Sequence, residues 1–343
     1  MGSDTTASLA VAGPPVVGED SAPPPGRAIL SIIIVNWNTR DLLMQCLRSI
    51  AADCRSSYPG SVRQPGLREL PARPVEVFVV DNASSDESAQ MVRESFPWVH
   101  MIENAENVGF ARANNQAIEA SNGAYVLLLN SDTEVLSDAL ATLIGYLDTH
   151  PKAAAVGPRL LNADGSLQPS CHPMLTPWRE FWRLVFLDRI VHKATYGATM
   201  WDSPVPQPVE VIKGACLLLR REALNQVGLL DESYFMYTEE VDLCYRLAQA
   251  GWELWWMPQA EVIHYGEASS RQAAQAMYLQ LYRSKIQFYR KFGGAARADH
   301  FKRLLRLAYG PRLIIARVGA PFSSALADRA RTYGRFLATL YEM

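Results

Sequence analysis

The chain has 343 residues, 49% apolar and 20% charged, enough for one large globular domain or two small ones. A net charge of -2 argues against a dedicated nucleic-acid binder, which carries a clear basic excess. Five scattered cysteines with no C-x-x-C pair speak against a disulfide framework or a zinc knuckle, no apolar run approaches the roughly 18 residues of a membrane span, and the N-terminus lacks a signal-peptide pattern, so a cytoplasmic location is expected.

Residues 1 to 27 are rich in Ala, Pro, Gly and Ser and are expected to form a disordered tail, since they cannot bury enough apolar area to offset their ordering entropy. Leu30 to Val35 reads as a strand buried on both faces, followed by a helix from Arg40 to Ala52. Residues 53 to 74 show no period and are expected to be an inserted loop. Val75 to Val80 is a second strand, and Ser84 with Glu87 predicts a capping box opening a helix. Val99 to Ile102, then a helix after Gly109, then Ala124 to Asn130 continue the alternation. A helix from Ser137 to His150, a strand from Ala153 to Val156 and a turn at Asn162-Ala163-Asp164-Gly165 follow. This order predicts an α/β fold with a mostly parallel sheet flanked by helices.

Residues 168 to 208 are rich in Pro, Trp, Phe and Arg without a period, which favours a segment covering an acceptor. Val209 to Leu219 reads as a strand broken at Gly214, and Glu239 to Gly251 as a helix with an acidic first turn. Trp252 to Met257 and Glu261 to Tyr265 read as two strands separated by Pro258. From Ser270 onward the chain is helical, basic and amphipathic. Its apolar face suits packing on the domain, an anionic membrane surface or a homo-oligomer contact.

Polar side chains recur where apolar strands end. Asp81 and Asp132 each close a strand, Glu239, Glu240 and Asp242 open a helix, and His264 stands near the end of a late strand. Singly each has a bland reading: a turn residue, a helix N-terminus that the dipole favours, a satisfied structural histidine. Together, at the carboxyl ends of strands, they mark where an open α/β sheet binds ligands. A G-x-G-x-x-G fingerprint is absent after the first strand, which argues against a nicotinamide-dependent dehydrogenase and a nucleotidyltransferase.

In this order, Ser31-Ile32-Ile33-Ile34-Val35-Asn36-Trp37-Asn38, Val79-Val80-Asp81-Asn82, Asn107-Val108-Gly109-Phe110, Asn130-Ser131-Asp132, Lys213-Gly214-Ala215-Cys216, Tyr237-Thr238-Glu239-Glu240-Val241-Asp242 and Val262-Ile263-His264 resemble the inverting family-2 glycosyltransferases with a GT-A fold, rhamnosyltransferase-like members above all. The resemblance implies a Rossmann-like nucleotide-binding half over residues 28 to 135, an acceptor half over 136 to 266, and a C-terminal helical region over 267 to 343. It implies that Asp81 accepts a hydrogen bond from the donor base, with Asn36, Asn38, Arg112, Asn130 and Ser131 nearby. Asp132, as the last acid of the family's D-x-D pattern, and His264 would hold Mg²⁺ or Mn²⁺; Asn130 stands where the first acid of that pattern belongs. Glu240 is the implied general base, with Glu239 and Asp242 as fallbacks, and Asp242 suits an anchoring pair with Arg246 one turn on. The implied donor is a dTDP- or UDP-sugar, with L-rhamnose favoured, and the implied acceptor a saccharide or lipid-linked saccharide in cell-surface glycan synthesis. The competing expectation is a catalytically silent sugar-nucleotide-binding subunit of a glycan-assembly complex.

Overall fold

The computed structural model describes residues 29–57, 75–186, 196–266 and 274–343. The expected N-terminal tail lies outside the described residues, as does the expected insertion from residue 58 on. The apolar runs of the first half become β1 (Leu30–Asn36), β2 (Val75–Asp81), β3 (Val99–Glu103) and β4 (Tyr125–Asn130). They lie in the order β3-β2-β1-β4, all parallel, joined by α1 (Arg40–Ser57), α2 (Ser88–Ser95) and α3 (Phe110–Ala120). Their carboxyl ends therefore share one rim: Asn36 pairs across to Asp81, and Val35 to Asn130.

These strands are apolar throughout because both faces are covered. Ile33, Val126 and Leu128 pack with Ala111, Ala117 and Ile118 of α3 in one layer. Ile32, Ile34, Leu127 and Leu129 pack with Leu43, Leu47 and Ile50 of α1 in the other. Each fully buried aliphatic side chain stabilises the fold by roughly 1.5–3 kcal/mol.

Past β4 come β5 (Thr133–Val135), α4 (Ala139–Thr149), β6 (Ala153–Leu161), β7 (Leu167–Gln168) and β8 (Cys171–His172). Next are α5 (Pro177–Leu184), α6 (Ala198–Trp201), β9 (Gln207–Pro208), β10 (Val211–Ile212) and β11 (Cys216–Arg220). Then follow α7 (Arg221–Val227), α8 (Glu239–Gln249) and β12 (Glu253–His264). Here the sheet becomes mixed: β11 runs antiparallel to β4 and β6, and β12 runs parallel to β6 but antiparallel to β5.

Three local expectations are corrected. The strand broken at Gly214 is two strands in different sheets, β10 pairing with β8 and β11 with β4. The two late strands are one, with a register irregularity between Met257 and Glu261 that absorbs Pro258 and its missing N–H. No capping box forms at Ser84. The Ser84 hydroxyl instead accepts from Asn38 N at 2.9 Å and Asn36 Nδ2 at 3.1 Å, and α2 starts later, after a left-handed Glu87.

The chain ends in α9 (Ala274–Gly319), interrupted by a left-handed Gly294 with φ +72°, and α10 (Ser324–Thr339). Tyr282, Ile286, Phe288 and Tyr289 of α9 join the main core, and Ser284 Oγ donates to Met236 O at 2.8 Å. One glycine is required where the two halves meet. Phe110 N donates to Phe235 O at 2.7 Å, and a Cβ on Gly109, whose φ is +89°, would sit 2.5 Å from that same oxygen. Gly109→Ala therefore meets both a forbidden backbone region and a backbone clash. Urea unfolding of that variant is expected to show a loss of about 1–3 kcal/mol, and an unchanged midpoint would contradict this seam.

Candidate active site

The rim of β1, β2 and β4 is a hydrogen-bonded polar network. Asn36, fully buried, donates through Nδ2 to Asp81 Oδ1 at 3.0 Å, and its Oδ1 accepts from Thr39 Oγ1 at 2.7 Å. Thr39 Oγ1 lies 2.8 Å from Ser131 Oγ, which ties the start of α1 to the turn after β4. Asp81 Oδ2 accepts from Ser84 N at 2.9 Å. Asn38 adopts a left-handed φ of 51°, and its Oδ1 accepts from Ser85 N at 2.7 Å. The amides of Asn36 and Asn38 thus hold the two loops together and hold the Asp81 carboxylate in place. A carboxylate has about four acceptor positions, so Asp81 retains capacity for an N–H from outside.

Asp132 and His264 are brought together by strand register. His264 pairs with Thr133 across the β5–β12 ladder, and Tyr265 N donates to Asp132 O at 2.9 Å. Asp132 Oδ1 then lies 3.3 Å from His264 Nε2, and Asn130 Nδ2 is also 3.3 Å from that nitrogen. The tautomer follows from Gln168. Its Nε2 donates to Asn162 Oδ1 at 2.9 Å and to His264 O at 3.0 Å, so its Oε1 is the atom facing His264 Nδ1 at 2.6 Å. Nδ1 therefore donates to Gln168, and Nε2 is the nitrogen that faces Asp132 Oδ1 and Asn130 Nδ2. An imidazole nitrogen beside a carboxylate oxygen, with an amide fixing the other ring nitrogen, is a donor set that fits a divalent cation. Among the described residues no group of three or more His, Cys, Asp or Glu is gathered at metal-binding distance, so a cation here would take its other ligands from a bound molecule.

The acidic helix start lies next to this rim. Asn130 N donates to Ala215 O at 2.9 Å, and a Cβ on the adjoining Gly214 would be 3.8 Å from Glu240 Cβ and 3.7 Å from Phe110 Cε1. The loop over residues 213 to 215 therefore touches the end of β4 on one side and the start of α8 on the other. Tyr237 and Thr238, with φ of 67° and 74°, are two successive left-handed residues immediately before the acids. Backbone of this kind persists only where surrounding contacts impose it, and it clusters at functional sites. Glu239 Oε2 and Glu240 Oε2 are buried and have no hydrogen-bond partner among the described residues. Burial pushes the Glu240 carboxyl above the ordinary carboxylate range, with the nearby Lys213 pulling it back down. Burial and the Glu240 charge push Glu239 well up. Asp242 is occupied otherwise: it accepts from Arg246 Nε at 2.6 Å, Lys291 Nζ at 2.6 Å and Tyr234 Oη at 3.3 Å, which is the expected anchor and more.

Arg112 is exposed on the first turn of α3 and makes no ion pair among the described residues. Asn115, three residues on, clasps Leu230 through both amide atoms at 2.8 and 3.1 Å. Sequence reasoning missed Gln168 and Thr39. Gln168 follows the turn at Gly165, and only the hairpin register of β6 and β7, with Leu161 opposite Leu167, brings it under His264. Nothing in its residue type announced that role.

Comparison with known proteins agrees with this geometry. The family model described as glycosyl transferase family 2 matches residues 31–228, more than half of the chain. An N-acetylglucosaminyl-diphospho-decaprenol L-rhamnosyltransferase of Mycobacterium tuberculosis is 34% identical over 207 residues, covering 56% of this chain and 67% of that protein. The rhamnosyltransferase WbbL of Escherichia coli K12 is 29% identical over 178 residues, 48% of this chain and 63% of its own. The crystal structure of Staphylococcus aureus TarS superposes with a TM-score of 0.50 at 13% identity, covering 81% of this chain and 42% of TarS, a likeness of fold. The chain belongs to glycosyl transferase family 2, and is a glycosyltransferase of rhamnosyltransferase-like sequence on a GT-A-type fold.

Proposed function

We propose that the protein transfers a sugar, L-rhamnose in the favoured case, from a nucleoside-diphosphate donor to a lipid-linked saccharide, with inversion and with a divalent metal. The observation that carries this reading is the 3.3 Å approach of His264 Nε2 to Asp132 Oδ1, with Nδ1 locked by Gln168. The names of the mycobacterial and E. coli relatives support the sugar and the acceptor class. Asp81 suits the imide N–H of a thymine or uracil base. Mg²⁺ or Mn²⁺ at Asp132 and His264 would supply Lewis-acid stabilisation of the departing diphosphate. Glu240 takes the proton of the acceptor hydroxyl as that oxygen attacks the anomeric carbon in line with the leaving group. One base and one displacement invert the centre, and no residue is needed as a covalent nucleophile. The buried, raised Glu240 carboxyl is a stronger base than an exposed one once it is ionised.

The exposed face of the C-terminal helices supports a membrane-surface location. Leu307, Ile314, Ile315 and Val318 are exposed along α9, with Phe322 just beyond it, and Arg303 and Arg317 are exposed alongside. Residues 307, 314 and 318 fall on one helical face. No helix among the described residues is long and apolar enough to cross a membrane. An apolar stripe with a basic rim fits the headgroup boundary of an anionic bilayer, where a lipid-linked acceptor resides.

A thermal-shift screen of sugar nucleotides with and without Mn²⁺ is expected to single out a dTDP- or UDP-sugar. Asp132→Asn should remove the metal-dependent part of that shift. Glu240→Gln is expected to keep donor binding and lose about 10²–10⁴-fold in kcat. The low-pH limb of the wild-type rate should lie above the ordinary carboxylate range, because a raised base ionises only at higher pH. Tight donor binding with no turnover at any pH would restore the silent-subunit alternative. Gln168→Leu should weaken activation by Mn²⁺ about 10–100-fold, and an unchanged Mn²⁺ dependence would remove the metal from the Asp132–His264 pair. Vesicles containing phosphatidylglycerol should sediment the wild type but not Leu307→Glu/Val318→Glu. A dimer broken by the same pair, with no lipid binding, would assign the stripe to a second copy instead.

A further inference from the structure

A second polar cluster lies next to Glu240, built from segments remote in the chain. β10 pairs antiparallel with β8, with Val211 opposite His172, and Lys213 N donates to Ser170 O at 2.9 Å. This sets Lys213 beside the segment that leads into α5, which carries Glu180 and Arg183 and is capped by Thr176. The Glu180 carboxylate is buried and held between two cations: Oε1 accepts from Arg183 Nη1 at 3.1 Å, and Oε2 accepts from Lys285 Nζ, reaching over from α9. Lys213 is within electrostatic reach of both Arg183 and Glu240.

The charges of this cluster do not balance. Three cations face two carboxylates: Glu180, committed to Arg183 and Lys285, and Glu240 beside Lys213. His172, at its edge, is pushed down to about 4 by burial and is neutral near pH 7. Lys213 is half-buried, and burial holds its ammonium below the usual lysine range. Burying cations without matching anions is unfavourable by several kcal/mol per ion, so a retained excess needs a reason. Two buried polar atoms lack partners there among the described residues: Glu240 Oε2 and the hydroxyl of Tyr289, whose neighbours include Glu180 and Arg183. Arg183 is 43% exposed along its side chain, which leaves the cluster open to solvent on one side. Arginine and lysine in a cluster open to solvent are the usual recognition chemistry for phosphate oxygens.

We propose that Arg183, Lys213 and Lys285 form a subsite for a diphosphate group, that of the lipid-linked acceptor, which seats the acceptor sugar against Glu240. The choice of the acceptor as source rests on the transfer reading above; the diphosphate chemistry rests on the cluster alone. The donor carries the same chemical group, and its diphosphate belongs with Asp132 and His264. Arg183, Lys213 and Lys285 act here as binding and positioning residues, not as proton carriers.

The test uses the full chain and two probes, farnesyl diphosphate and farnesol, titrated calorimetrically in EDTA so that metal-dependent donor binding is silent. Farnesyl diphosphate is expected to bind at least tenfold tighter than farnesol. Arg183→Ala and Lys213→Met should each weaken it about tenfold or more, as charge-assisted hydrogen bonds do, while Asp132→Asn leaves it unchanged. Lys213→Met breaks no ion pair of Glu180, so it separates loss of the subsite from loss of the fold. Equal affinity for the two probes, or a loss in Asp132→Asn with none in Lys213→Met, overturns the proposal. Absence of sugar transfer from every donor, with the binding pattern intact, would overturn the transfer reading and leave this subsite standing.

Discussion

The site depends on a three-residue antiparallel ladder. β5 is short, yet its pairing with β12 sets His264 opposite Thr133 and so beside Asp132. A slip of one residue would turn the imidazole to the other face of the strand and separate the pair. The slip is prevented from both sides. Val135 and Val262 are buried in the layer beneath α1 and α4, while Tyr265 N is bonded to Asp132 O. Gln168 then fixes the ring itself, so that Nε2 already faces Asp132 when a ligand arrives. The pairing of imidazole and carboxylate is thus made during folding, from strand register and one amide.

Around this pair the polar groups fall into two kinds. Asn36, Thr39, Ser131, Ser84 and Asp242 have their capacity met within the protein, and they hold the loops at the strand ends where backbone would otherwise be mobile. Glu239 Oε2, Glu240 Oε2 and Tyr289 Oη are buried with unmet capacity among the described residues. Satisfied networks stiffen a site; unsatisfied buried groups are unfavourable to keep and concentrate where substrates supply the partner. The left-handed Tyr237 and Thr238 belong with the second kind, since they strain the chain in order to aim two acids from the first turn of α8.

Much of this was legible from residue order. The runs at Leu30, Val75 and Val126 could only be strands covered on both faces, and their polar ends could only share a rim once the strands were parallel. The acidic start of α8 and the Asp242–Arg246 pair followed from helical spacing. Other features were not legible because they arise from partners far away. Ser84 looked like a helix cap until Asn36 and Asn38 took its hydroxyl. The break at Gly214 marked a change of sheet, visible only when β8 and β4 are both in place.

Periodicity and the type of residue at each strand end dictated the layered α/β architecture and the acids and histidine at its rim, because those signals are local and act within a few residues. Which of them meet, which nitrogen of His264 faces Asp132, and that Arg183 and Lys285 both reach Glu180 were decided by folding alone. Those facts follow from register and long-range packing, where side chains separated by more than a hundred residues come within a few ångströms, and no spacing along the chain encodes such a distance.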